Sequence, residues 1–441
     1  MSRTTRRALL LLTALALLLR SAHFVAIAGS PFPLLQLEVP GGDMAAHWAW
    51  SEQILAGDWL GRSTYHQFPE WMRAIAPIET WHRWWGGEKI FHREPLYPYF
   101  LALARGILGR GALLGVLGLQ LALGALQPLV LFLLARRLFD TRAGLLAAAF
   151  GAIHGPFVYF ESALLRDWVP PLLDPLLLVA ILRARDREKA GSWILAGVLF
   201  GLSILIRSSL VLFLPLALGW IAWMGRDQLA RTARAASFFL LGLALGFAPL
   251  AARNLAVGAP ILAMTNRAPE AIVESNAADS IPIGMPIPES MPGILERAGG
   301  SARIAAVETA KQYEGRWGSL LRLQVLKLWG AFDPREHADN LDYEYGRWIS
   351  PAIRWAPGFA MAGLFGVAGI LLFLRRGGGH ALVVLYVLSV LGGQLVTVIV
   401  GRYRLGLTAM LIVMGAGYAV WCWDHLRPKV TREAILAVSP L

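Results

Sequence analysis

Apolar residues along this chain run in unbroken stretches rather than alternating, and the stretches approach the roughly 20 residues that cross a hydrocarbon slab. They cover residues 8–28, 112–134, 143–160, 168–182, 193–224, 235–252, 351–374, 381–400 and 405–423. At about 1.5 Å per residue the fifth would reach roughly 48 Å against a slab of roughly 30 Å. Arg207-Ser208-Ser209 interrupts it, so it divides there and ten spans are expected. The polar intervals 29–111 and 253–350 are the two long loops. No interval alternates strands with helices and no Gly-rich phosphate cradle is present, so residues 1–441 form one all-α polytopic membrane domain with no separate soluble domain.

Composition agrees, with 56% apolar and 16% charged residues and a mean hydropathy of +0.53. A net charge of +12 could suit nucleic acid, but the basic residues sit in short connections. These are Arg3, Arg6 and Arg7; Arg136, Arg137 and Arg142; Arg183, Arg185, Arg187 and Lys189; Arg226, Arg231 and Arg234; Arg375 and Arg376; and Arg427 with Lys429. In a ten-span layout all fall on one face, so positive-inside sorting accounts for the charge and no nucleic-acid partner is expected. That face and both termini are then cytoplasmic, the long loops lie outside, and Arg-rich, Lys-poor usage favours a bacterial inner membrane. The first stretch reads as an uncleaved anchor: it is long for a signal core, although Ala26-Ile27-Ala28 resembles a cleavage site. With Cys422 alone there is no intrachain disulfide and no cysteine metal site.

Candidate chemistry gathers in the outer segments. Asp43 heads a helix expected over 44–56, where it serves as N-cap while its second oxygen can face a substrate. Trp71, Trp81, Trp84 and Trp85 suit an interfacial aromatic belt. In His92-Arg93-Glu94-Pro95-Leu96-Tyr97-Pro98, Arg93 stands at headgroup level ahead of a surface segment too short to span. Arg207 is a recessed cation, and such charges face cavities. Arg253-Asn254 and Arg402-Tyr403-Arg404-Leu405 add cations that oppose the positive-inside bias. Glu161 and the Arg166–Asp167 pair occupy a short outer turn. Asp333, Glu336, Asp339 and Asp342 lack calcium-loop spacing and read as a solvated loop, and a surface helix is expected over 316–332.

These segments, taken in order, resemble the GT-C superfamily of polytopic glycosyltransferases, in the branch of the dolichyl-phosphate-mannose protein mannosyltransferases and the lipid A aminoarabinose transferase. The resemblance spans nearly the whole chain. It implies a GT-C-like bundle with two surface helices in the first outer loop, and a polyprenyl-phosphate-linked sugar as donor. Asp43 matches the catalytic carboxylate, and Asp167 or Glu161 a second acidic position. His92, Arg93, Glu94, Tyr97, Arg207, Arg253, Asn254, Arg402 and Arg404 are the implied contacts to lipid phosphate and sugar. His92 stands where some relatives place a metal-contacting acid, so no metal ligand is assigned and a divalent cation is left open. Glu94-Pro95 replaces the family's paired prolines. The implied activity is inverting transfer to a glycan, lipid or protein acceptor. Alternatives are a ligase with a lipid-diphosphate donor and a lipid-linked sugar flippase, whose paired halves or broken midplane helices are not visible.

Overall fold

The computed structural model describes residues 2–39, 41–65 and 68–426, so the cytoplasmic pair expected at Arg427 and Lys429 lies outside it. Among those residues the fold is all-helical, with a single isolated bridge between Gly284 and Ile399. A long first helix, α1 (Arg3–Ala28), leads into a first polar segment of α2 (Phe32–Glu38), α3 (Asp43–Leu55), α4 (Glu70–Ile75), α5 (Ile78–Trp84) and α6 (Leu96–Leu108). The bundle continues through α7 (Ala112–Gly124), α8 (Gln127–Leu138), α9 (Thr141–Ile153), α10 (Gly155–Glu161), α11 (Pro170–Arg187), α12 (Ala190–Ile206), α13 (Phe213–Met224) and α14 (Leu229–Val257). A second polar segment holds α15 (Ala268–Asn276), α16 (Met291–Ala298), α17 (Ala302–Lys311), α18 (Trp317–Ala331) and α19 (Tyr343–Ile349). Three helices close the chain: α20 (Phe359–Phe373), α21 (Gly378–Val396) and α22 (Leu405–Leu426).

The chain is a multi-pass membrane protein, but length and apolarity single out six spans among the described residues rather than ten, or seven if a bent pair counts as one. Local sequence explains the difference. Pro156, which donates no backbone hydrogen bond, opens α10 just past a 52° bend between α9 and α10. Arg207, in extended conformation, ends α12 after 17 residues, and α13 has only 12. The break at Arg207 falls where the charged triplet predicts it. Residues Arg93, Arg166, Ser208, Arg267 and Tyr403 all line one cavity although at least two helices separate each from the next in sequence, so the chain leaves this end of the bundle and returns to it repeatedly.

Close helix approach rests on small residues, as their abundance suggests. Gly197 and Gly201 of α12 face Gly242 and Gly246 of α14, and a Cβ on Gly197 or Gly242 would run into the opposing backbone at Phe239 or Ile194. Gly197→Leu is therefore expected to force these helices apart and destabilise the fold by about 1–3 kcal/mol, the usual cost of overpacking. A melting temperature in detergent equal to that of the unaltered protein would refute this.

The two polar segments depart from the expectation in two ways. Five short helices, not two, occupy the first. Trp81, Trp84 and Trp85 are buried and do not form a lipid-facing belt; they pack with Met72 and with Val273, Met291, Ile294 and Leu295 in a small core shared by the two polar segments. Helix α18 coincides with the expected surface helix. Its Lys327 is fully buried and donates to Asn276 Oδ1 at 3.2 Å and Thr397 O at 2.8 Å, tying α15 to the chain that follows α21.

Candidate functional site

Asp43 begins α3 as its first helical residue. Gly42 is the N-cap and no side chain caps the helix, so Asp43 does not have the capping role expected of it. Its backbone N–H donates to Asn340 Oδ1 at 2.8 Å and its Oδ2 accepts from Asn340 Nδ2 at 3.1 Å, which fixes the carboxylate to the second polar segment. Arg93 donates to Oδ1 through Nε at 3.0 Å and also through Nη2, and Arg402 Nη2 donates to Oδ2 at 2.6 Å. Burial pushes this carboxyl up, but the guanidinium groups of Arg93 and Arg402 outweigh it and hold Asp43 well below the usual carboxylate range. His47, one turn on, is pushed down to about 3 by burial and by Arg93, so it stays neutral and donates through Nδ1 to the Leu164 carbonyl at 3.1 Å.

Arg402 organises the acids around it. Its Nε lies 2.6 Å from Asp339 Oδ2 and its Nη1 lies 3.4 Å from Asp167 Oδ2, and the guanidinium is almost wholly buried. Asp339 is thus part of this cluster, and the Asp333 and Glu336 side chains are buried as well, Glu336 accepting from Arg404 at 3.0 Å, so of the four acids expected in a solvated loop Asp342 alone is exposed. Nor are Arg166 and Asp167 a local surface pair. Arg166 pairs with Glu94 at 2.8 Å while Asp167 turns to Arg402. The other oxygen of Glu94 accepts from the backbone N–H of Ser208 at 2.9 Å and from its hydroxyl at 2.8 Å. Glu94 therefore positions Arg166 and the α12–α13 break and has little left for a substrate.

A cavity of about 290 Å³ adjoins this cluster. Asp43, His92, Arg93, Glu94, Arg166, Arg207 and Arg267 line its polar part, and Val211, Leu212, Ile272, Val396 and Val398 its apolar part. His92 Nδ1 lies 2.9 Å from Asn266 Oδ1. Arg207 donates to the Tyr403 carbonyl at 2.6 Å, stands over the Tyr403 ring, and among the described residues has no carboxylate within 4 Å. The arrangement offers fixed cations beside an apolar channel with a carboxylate at the margin, suited to a polar head on a lipid tail. A larger cavity of about 620 Å³ lies at the opposite ends of α11 to α14. Its lining carries as many acids, Asp186, Glu188 and Asp227, as arginines, Arg185, Arg231 and Arg234, and Glu188 pairs with Arg231 at 3.0 Å, so we attach no anion chemistry to it.

The remaining sequence candidates fall elsewhere. Glu161 is held through both oxygens by Arg20 of α1 at 2.6 and 2.7 Å and cannot be the second acid. Tyr97 is buried and donates to Gln120 Oε1 at 2.6 Å. Arg253 donates to the carbonyls of Leu60 at 2.8 Å and Lys89 at 2.6 Å, and Asn254 to that of Ala263 at 2.8 Å; both bind loops together away from the cavity. Arg404 donates to the Asp333 carbonyl at 2.6 Å and packs on Phe359. Sequence reasoning misses Arg166, Arg267, Asp339 and Asn340 as site residues. Among the described residues no three His, Cys, Asp or Glu side chains are grouped to hold a metal ion. Asp43 is engaged by two guanidinium groups, a donor set that does not fit a cation, and no step is assigned to one.

Comparison with known proteins agrees with the resemblance read from the sequence. Residues 92–252 match the family described as dolichyl-phosphate-mannose-protein mannosyltransferase. No curated protein matches the chain. Among solved structures, the oligosaccharyltransferase AglB of Archaeoglobus fulgidus, in complex with an inhibitory peptide and a dolichol-phosphate, matches at 16% identity and a TM-score of 0.48, over 96% of this chain and 52% of its own. ArnT of Cupriavidus metallidurans, bound to undecaprenyl phosphate, matches at 17% identity and a TM-score of 0.37, over 96% of this chain and 81% of its own. The chain spans about half the length of the archaeal enzyme.

Proposed function

We propose that this membrane protein, whose residues 92–252 match a mannosyltransferase family, is an inverting glycosyltransferase that moves a sugar from a polyprenyl-phosphate donor to an acceptor at the outer face of the membrane. One observation carries the reading: Asp43 stands at the edge of a cavity that holds Arg93, Arg166, Arg207 and Arg267 beside an aliphatic wall. The polyprenyl chain leaves along that wall, and the phosphate meets guanidinium groups that stay charged and fit its oxygens in a fork.

In the reaction an acceptor oxygen or nitrogen attacks the anomeric carbon as its bond to the phosphate oxygen breaks. The acceptor proton passes to Asp43, and the bonding electrons remain on the leaving phosphate, where the arginines stabilise them. One displacement inverts the anomeric centre. A carboxylate clamped by two guanidinium groups is a weak base, so the donor phosphate also acts on Asp43, competing for Arg93 and freeing Oδ1. Asp167 and Asp339 position Arg402 and thereby Asp43. The ten-leg layout, the outer loops at 29–111 and 253–350 within a single 1–441 domain, and the bacterial inner membrane belong to the same proposal.

Incubation of purified protein with polyprenyl-monophosphate and polyprenyl-diphosphate sugars tests the class. Release of lipid monophosphate from the former is expected. Release from the diphosphate alone would make the protein a ligase, and neither release a flippase. Arg207→Gln leaves no carboxylate unpaired, so it is expected to spare the fold. Loss of a hydrogen bond to a charged group, about 1.5–3 kcal/mol, would raise the donor KM about ten- to a hundredfold. An unchanged KM would remove Arg207 from the phosphate site.

A further inference from the structure

Asp43 borders a second cavity as well, of about 190 Å³, which shares His92, Arg93, Arg267 and Glu274 with the first and differs in the rest of its lining. Arg166, Arg207 and the aliphatic wall are absent from it. In their place stand Glu270, Asp339 and Asn340, with Trp71 nearby. Four carboxylates, those of Asp43, Glu270, Glu274 and Asp339, face it against the two guanidinium groups of Arg93 and Arg267.

Glu270 gives the cavity its chemical sense. Its residue is 2% exposed, and its Oε2 accepts from Trp85 Nε1 at 3.0 Å. Among the described residues its Oε1 accepts no hydrogen bond and no cation lies within 4 Å of the carboxylate. Such an oxygen can only accept, and it belongs to a residue that lines the cavity. It calls for a hydroxyl or ammonium donor, whereas an anion would meet four carboxylates. Trp71, 36% exposed and held edge-on by Trp81 at 5.8 Å, offers a flat apolar surface of the kind a sugar ring covers.

We propose that this second cavity receives the acceptor, and that the acceptor presents a hydroxylated ring bearing an amino group rather than a phosphate or carboxylate. The proposal rests on the glycosyl-transfer reading for the word acceptor, but the charge selectivity is a property of the cavity itself. Asp43 then stands between an arginine-lined chamber for the donor and a carboxylate-lined chamber for the acceptor, within reach of both.

Saturation-transfer NMR on the full-length protein in detergent, with glucosamine, glucose and glucuronate as probes, tests it. Binding is expected to fall in that order, with glucuronate at least about fivefold below glucosamine, the scale of one charge pair in an aqueous cleft. Glu270→Gln, which keeps an oxygen for Trp85, and Ile287→Lys, which sets a cation at the cavity margin, should each weaken glucosamine binding by a similar factor. Glucuronate binding as well as glucosamine, or both variants binding glucosamine as the unaltered protein does, would overturn the proposal. Undecaprenyl phosphate binding, measured in parallel, separates the two claims: its absence in the unaltered protein would defeat the transfer reading, while the sugar series would still decide the selectivity.

Discussion

Asp43→Asn is expected to reduce transfer by at least about 10²-fold and up to about 10⁴-fold, the contribution of a positioned base. The amide cannot accept the acceptor proton, and its NH2 group replaces one of the oxygens that Arg93 and Arg402 now bind. The loss should appear in kcat, because the arginines that hold the donor phosphate remain. The fold should persist, since α3 is also anchored by burial of Met44, Trp50 and Ile54. Turnover above about one percent of the unaltered rate, with an unshifted melting profile, would take the base role from Asp43.

Arg402→Met is expected to have the larger effect on stability. This one guanidinium faces Asp43 at 2.6 Å, Asp339 at 2.6 Å and Asp167 at 3.4 Å, and it is 3% exposed. Breaking a buried ion pair by removing one partner costs about 3–5 kcal/mol because a buried charge is left uncompensated. Here three carboxylates lose their common partner, so the melting temperature and transfer should fall together. Arg402→Lys should restore little, because an ammonium lacks the planar fork with which the guanidinium reaches three separate carboxylates. Adding Asp339→Asn to Arg402→Met removes one stranded charge and should recover part of the stability, with a coupling of about 0.5–3 kcal/mol. Strict additivity of the two substitutions would show that the ion pair between them contributes nothing.

Where the chemistry is local, the sequence is a good guide to this molecule. The helix expected at 44–56 is found at Asp43–Leu55, the surface helix expected at 316–332 at Trp317–Ala331, and the break at Arg207 where a charged triplet interrupts an apolar run. Asp43, His92, Arg93 and Arg207 line the cavity, because an acid or a cation at the margin of apolar spans has few other places to be. What stays hidden is long-range. Asn340 is 297 residues from Asp43 and lies in an irregular stretch whose composition reads as a solvated turn. Glu161 reads as a site acid because its partner, Arg20, is concealed inside the first apolar stretch, and only tertiary structure brings the two together. Trp81, Trp84 and Trp85 have the density of an interfacial belt, yet density does not say what covers an indole, and α15 and α16 cover these. Counting spans by apolar length also misleads, because legs shortened by Pro156 or Arg207 fall below the spanning criterion.

The central claim is that the lipid phosphate binds among Arg166, Arg207 and Arg267 with its sugar reaching Asp43. A structure of the protein with bound undecaprenyl phosphate tests this most directly. The account predicts phosphate density against those three guanidinium groups, with the isoprenoid along Val211, Leu212, Val396 and Val398. Phosphate seated instead among Arg185, Arg231 and Arg234, at the other end of the bundle, would contradict it.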